Sequence, residues 1–116
     1  MPKSNTLLRS EFNYKFSMMS VYAAVKDIQF ICTSYTRSAD EQNKLFKKSV
    51  SKCDGYTNVS YHQRDRARDI VIIDDEGKPI WDEHPHYETL GKFFEDIGGR
   101  WGGNFSGLKD QYHYEY

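Results

Sequence analysis

The stretch SYHQRDRARDIVII, residues 60–73, decides the fold. Its second half, Ala67 to Ile73, is rich in β-branched residues and reads as a strand. Alternate strand residues share a face, so Asp69 points the same way as Ala67, Val71 and Ile73, and Ile70 and Ile72 point the other way. A strand apolar on both faces is expected to be covered on both. Asp69 then aims a carboxylate into an interior, where a charge needs a compensating partner. A metal ion is the partner expected.

The last residues follow the same period. Tyr112, Tyr114 and Tyr116 alternate with Gln111, His113 and Glu115, which predicts a strand with a tyrosine face and a polar face. His62, Asp69 and His113 supply three ligands for Zn²⁺, one ion per chain, with a fourth position left for water. Asp110, three residues before His113, is a carboxylate outside that set, placed to take a proton from the water.

Upstream, Leu8, Phe12, Phe16, Met19 and Ala23 recur at helical spacing and predict a helix over roughly 6–26. Residues 28–34 read as a strand. Ser38 and Glu41 form a capping box that opens a helix to about Lys48. Residues 49–60 read as a loop. Residues 74–79 form a turn, expected to be that of a hairpin returning through Ile80 and Trp81. Pro85 suits a first helical position. Tyr87, Leu90, Phe94 and Ile97 then make a helical stripe that Gly98 and Gly99 end. Trp101 to Asp110 reads as a glycine-rich loop. The order predicts an α+β fold: a small antiparallel sheet with about three helices, one domain over 1–116.

The pattern S-x-H-x-x-G-x-A-x-D, then W-G-G, then D/E-x-x-H, resembles the zinc D-alanyl-D-alanine and L-alanyl-D-glutamate peptidases that cut peptidoglycan stem peptides. Ser60, His62, Ala67 and Asp69 fall in register with it, as do Trp101, Gly102, Gly103, Asp110 and His113. Residues 33–45, TSYTRSADEQNKL, resemble the family segment T-S-G-Y-R-S-x-x-x-Q-x-x-L. The likeness spans roughly residues 6–116. Asp65 stands where the family usually has Gly. If that position needs φ > 0, Asp tolerates it less well than Gly and better than most residues. Tyr35 and Thr36 replace the usual Gly-Tyr, and Tyr112 stands where Pro is common.

The resemblance implies a zinc metallopeptidase in which His62, Asp69 and His113 hold the metal and Asp110 is the general base. Arg37, matching the family's arginine over the site, would stabilise developing oxyanion charge or clamp a substrate carboxylate. Asp rather than Glu at position 110 resembles the endopeptidase branch, which cuts the L-alanyl-D-glutamate bond of the stem peptide. The alternatives are a D-alanyl-D-alanine carboxypeptidase or dipeptidase on the same fold, or a non-catalytic zinc-binding domain. Glu115 is a candidate to orient His113. Gln42 and Leu45 are read as packing residues of their helix.

Taken singly, each of these residues has an ordinary reading. A histidine in a polar loop is commonly solvated, and Asp69 could pair with a nearby arginine. The order and spacing together favour the metal. His84 and His86 match no motif and are read as helix-start residues. Arg64, Arg66 and Arg68 alternate, so they are expected on one face, as a solvated edge or as an attractor for an acidic peptide.

Composition narrows the classes. The 116 residues carry 28% charged and 16% aromatic side chains and a net charge of −1, with a pI of about 6.4. That balance argues against general attraction to nucleic acid or to an anionic membrane. No apolar run approaches the ~20 residues of a membrane span, so no membrane insertion is expected, and a monomer is. The first residues lack the apolar core of a signal peptide. The expectation is synthesis in the cytoplasm and action on the cell wall after release, as in phage endolysins. Cys32 and Cys53 lack C-x-x-C spacing and are read as free thiols.

Overall fold

A computed structural model describes residues 2–34, 39–48, 55 and 60–116. Helix α1 spans Asn5–Val25, strand β1 Gln29–Ser34 and helix α2 Ala39–Lys47. Strand β2 is Ala67–Ile73, helix α3 Pro85–Asp96, strand β3 Arg100–Trp101 and strand β4 His113–Glu115, with a 3₁₀ turn over Gly102–Asn104. The four strands form one antiparallel sheet in the order β1-β2-β4-β3. This is the α+β arrangement the element order implied. No helix among the described residues is long and apolar enough to cross a membrane.

Strand β2 is buried on both faces: Ala67 and Val71 on one, Ile70 and Ile72 on the other. Against Ile70 and Ile72 pack Phe12, Met19 and Ala23 of α1 and Tyr87, Leu90 and Phe94 of α3. Phe94 joins the layers, edge-on to both Phe12 and Tyr114 at centroid distances of 6.2 and 5.3 Å. Ser4 caps α1 by accepting from the Leu7 amide. The outer face of α1 is also apolar, with Leu7, Tyr14, Met18, Val21 and Val25 exposed.

Helix α3 begins as its sequence suggested, with Pro85 in the first turn. His84 is its N-cap and accepts through Nδ1 from the His86 amide at 3.1 Å. Gly98, at φ 98°, turns the chain away after the helix ends. The Tyr87 hydroxyl donates to the Ile80 carbonyl at 2.6 Å and accepts from the Ile72 amide at 3.0 Å, tying the 74–79 turn to β2.

Three expectations need correction. The return after that turn is one bridge, Ile73 to Pro79, and not a strand, because the Tyr87 hydroxyl stands between the Ile72 amide and the Ile80 carbonyl and takes the bond that would continue the ladder. The 101–110 loop is preceded and entered by β3, two residues long and too short to show a period. Arg64, Arg66 and Arg68 are not one solvated basic face. Arg66 is 8% exposed, and its Nε and Nη1 donate to the Tyr116 carbonyl at 2.7 Å and to Asn5 Oδ1 at 3.0 Å. Arg68 pairs with Asp65 at 2.9 Å. The Ser38 cap, Cys53 and most of the 49–60 loop lie outside the described residues.

Phe94→Ala should cost about 3–5 kcal/mol, since it removes a buried ring touching both layers. Val25→Ala, on the exposed face of α1, should stay within about 0.5 kcal/mol. Urea titrations of the two variants check the contrast, and equal losses would contradict this assignment of the core.

Candidate metal centre

His62 arrives on a tight loop whose closure is written in its sequence. The Ser60 amide donates to Gln63 Oε1 at 3.0 Å, and the Gln63 amide donates back to Ser60 Oγ at 3.3 Å. This reciprocal arrangement follows the S-x-x-Q capping box. The chain then passes through Asp65 at φ 56°. That explains glycine at this position in the family pattern, and Asp is among the residues that tolerate the left-handed region. The Asp65 carboxylate is anchored by Arg9 and Arg68, each at 2.9 Å. His62 ends 2% exposed.

Asp69 and His113 are register partners across β2 and β4. His113 Nδ1 lies 3.0 Å from Asp69 Oδ1. His62 Nε2 lies 3.2 Å from the same oxygen and 3.3 Å from His113 Nδ1. Two imidazole nitrogens and one carboxylate oxygen thus converge from a loop and two strands. Four ligands placed tetrahedrally about 2.0–2.1 Å from zinc stand roughly 3.3 Å apart. The donor set and its spacing fit a zinc ion. Among the described residues, these three form the group of His, Cys, Asp and Glu side chains able to hold a metal. His84 and His86 belong to the start of α3.

The electrostatics follow from the crowding. Burial works to raise the Asp69 carboxyl, but hydrogen bonds with His113 and His62 outweigh it and hold the group well below the usual carboxylate range. Burial works to lower His113, but Asp69 on one side and Glu115 on the other push it up to about 9 in the metal-free protein. Glu115 Oε1 is 2.6 Å from His113 Nε2, and Glu115 Oε2 is 3.1 Å from Arg100 Nη1.

Asp110 stands beside the cluster and outside its ligand atoms. Its Oδ1 accepts from the Tyr112 amide at 3.0 Å, and its carbonyl accepts from the His113 amide at 3.2 Å. This Asx turn feeds His113 into β4. Burial, followed by the Asp69 charge, raises the Asp110 carboxyl. A cleft of about 1090 Å³ is lined by Asp110, Glu83, His84, Trp101, Leu108 and Tyr112 among others, and by none of the three ligand residues.

The W-G-G segment holds that turn. The Trp101 indole donates to the Gln111 carbonyl at 2.9 Å, and the Asp110 amide donates to the Gly102 carbonyl at 2.9 Å. A Cβ on Gly102 would sit 2.3 Å from the Asp110 carbonyl oxygen and 3.0 Å from His113 Cβ. Only glycine lets the two segments approach this closely. Arg37 lies outside the described residues. Arg100 went unremarked in the sequence, because its place beside Glu115 follows only from the β3–β4 pairing.

A family model described as D-alanyl-D-alanine carboxypeptidase matches residues 54–116, more than half of the chain. The chain is 29% identical over 106 residues to the peptidoglycan L-alanyl-D-glutamate endopeptidase CwlK of Bacillus subtilis (strain 168). That match takes in 80% of this chain and 64% of CwlK, so the chain spans just under two thirds of that relative's length. Two solved structures share the fold. The Serratia marcescens L-Ala D-Glu endopeptidase ChiX gives a TM-score of 0.62 at 23% identity, over 76% of this chain and 66% of that one. The vancomycin-resistance D,D-pentapeptidase VanY from a VanB-type cassette, solved with Zn(II), gives 0.62 at 15%, over 90% and 70%. With the family model resting on the segment that carries His62, Asp69, Asp110 and His113, the chain belongs to the D-alanyl-D-alanine carboxypeptidase family.

Proposed function

We propose that the protein is a zinc-dependent peptidase acting on the stem peptides of peptidoglycan, and that it cuts the L-alanyl-D-glutamate bond. The convergence of His62 Nε2, His113 Nδ1 and Asp69 Oδ1 carries the reading. In it these three atoms hold the metal. A zinc ion bound there would supply Lewis acidity toward water and the scissile carbonyl. Asp110 accepts the proton of the attacking water and returns it to the leaving amine. Arg37 is assigned to the oxyanion, on the family pattern alone. The choice of bond is supported by the Asp at position 110 and by the names of CwlK and ChiX. An endolysin role, with synthesis in the cytoplasm and action on the wall after release, is part of the proposal.

A second reading, removal of the terminal D-alanine, is favoured by the description of the family model and by the likeness to VanY. Purified peptidoglycan incubated with zinc-loaded protein separates the two. Mass spectrometry should find released peptides beginning at D-glutamate. Release of D-alanine alone would establish the second reading. Asp110→Ala should keep its zinc and lose turnover by about 10²–10⁴-fold. A variant as active as the parent would move the base elsewhere.

Metal binding should also depend on pH. His113 carries a proton below about 9 in the metal-free protein, and a ligand nitrogen must give its proton up. Apparent zinc affinity should therefore rise with pH, by about tenfold between pH 7 and 8, and level off above 9. Calorimetry in buffers of different ionisation enthalpy should register at least one proton released per zinc at pH 7. Binding with no proton release and no rise between pH 7 and 8 would mean that His113 is already neutral in the metal-free protein, contradicting the upward shift that Asp69 and Glu115 impose on it.

A further inference from the structure

We infer that Arg100 and Glu115 form a brace that fixes the tautomer of His113, which makes Arg100 a positioning residue for the metal centre. The inference rests on the zinc reading above. Arg100 is the register partner of Glu115 across β3 and β4. Residues 113 and 115 are two apart on a strand and share a face. Glu115 is 8% exposed. One of its carboxylate oxygens lies 2.6 Å from His113 Nε2 and the other 3.1 Å from Arg100 Nη1.

A carboxylate can only accept, so the proton between Glu115 and His113 belongs on Nε2. A neutral imidazole carries one N–H. The Nδ1 lone pair is then left facing Asp69 Oδ1 and His62 Nε2, at 3.0 and 3.3 Å. With a metal between them, Nδ1 and Asp69 Oδ1 would both be ligands and need no shared proton, whereas the opposite tautomer would set the Nε2 lone pair against the Glu115 carboxylate and turn an N–H toward the metal. Arg100 gives the Glu115 carboxylate a cation of its own, on the oxygen that does not face His113. The guanidinium is itself held. Its Nη1 donates to the Tyr61 hydroxyl at 3.3 Å. Its central carbon stands 5.6 and 5.5 Å from the ring centroids of Tyr61 and Phe105, within cation–π range of both. The Phe105 ring in turn lies 5.8 Å from that of His113. A planar guanidinium suits this place between two rings better than an ammonium.

The test uses the full chain labelled with ¹⁵N and loaded with zinc. Imidazole ¹H–¹⁵N spectra should show the His113 proton on Nε2. In competition with a chelator, Glu115→Ala should weaken zinc binding about 10–100-fold. Arg100→Ala, which removes a more exposed pair one step further from the metal, should weaken it about two- to fivefold, with Arg100→Lys restoring part of the loss. Glu115→Gln, which keeps an acceptor oxygen, should fall between parent and Glu115→Ala. A zinc-bound parent with the proton on Nδ1 would overturn the brace. So would a folded Glu115→Ala holding zinc within twofold of the parent. If Glu115→Ala fails to fold, Arg100→Ala decides, and unchanged affinity there overturns the inference. A parent that binds no zinc would instead overturn the reading of the site, and the brace with it.

Discussion

The pairing of Asp69 with His113 across β2 and β4 is the constraint on which the site depends. Strand β2 is covered on both faces, so its one acidic side chain cannot be left to bulk water. The two imidazoles are what the sequence supplies, and they hold the carboxylate ionised against the cost of burial. The pair also fixes register. A slip of one residue along β4 would turn His113 into the core and bring Tyr114, now packed edge-on to Phe94, out to the site. The aromatic core on one face and the ligand cluster on the other therefore specify the same alignment.

Around that pair, short local devices deliver the remaining groups. The Ser60–Gln63 box and the left-handed turn at Asp65 bring His62 in from a loop. Trp101 and Gly102 hold the turn that aims Asp110 and starts β4. The end of the chain is locked from outside, where Arg66 reaches both the Tyr116 carbonyl and Asn5 at the start of α1. The first two devices leave their mark as spaced motifs because each joins residues close in sequence, whereas the Arg66 lock joins distant segments and leaves none.

That locality explains how much could be read in advance. Strand β2, the helix starting at Pro85 and the inward stripe of α1 were legible because their periods run over several residues. The gathering of His62, Asp69 and His113 was legible because two strands and a motif order point to it. Strand β3 was not, since two residues have no period. Arg66 looked like one of three solvated charges, because alternation assigns a face without saying what packs on it. Asp65 could be read only conditionally, its backbone conformation being a property of the closed loop. The role of Arg100 depends wholly on a pairing between distant segments.

The central claim is that two imidazoles and one carboxylate hold a single zinc ion. A crystal of the protein grown with zinc, with anomalous difference maps recorded on either side of the zinc absorption edge, tests it most directly. The account expects one peak per chain, about 2.0–2.2 Å from His62 Nε2, His113 Nδ1 and an Asp69 carboxylate oxygen. A peak elsewhere, such as at His84 and His86, or no peak between these three side chains, would contradict it.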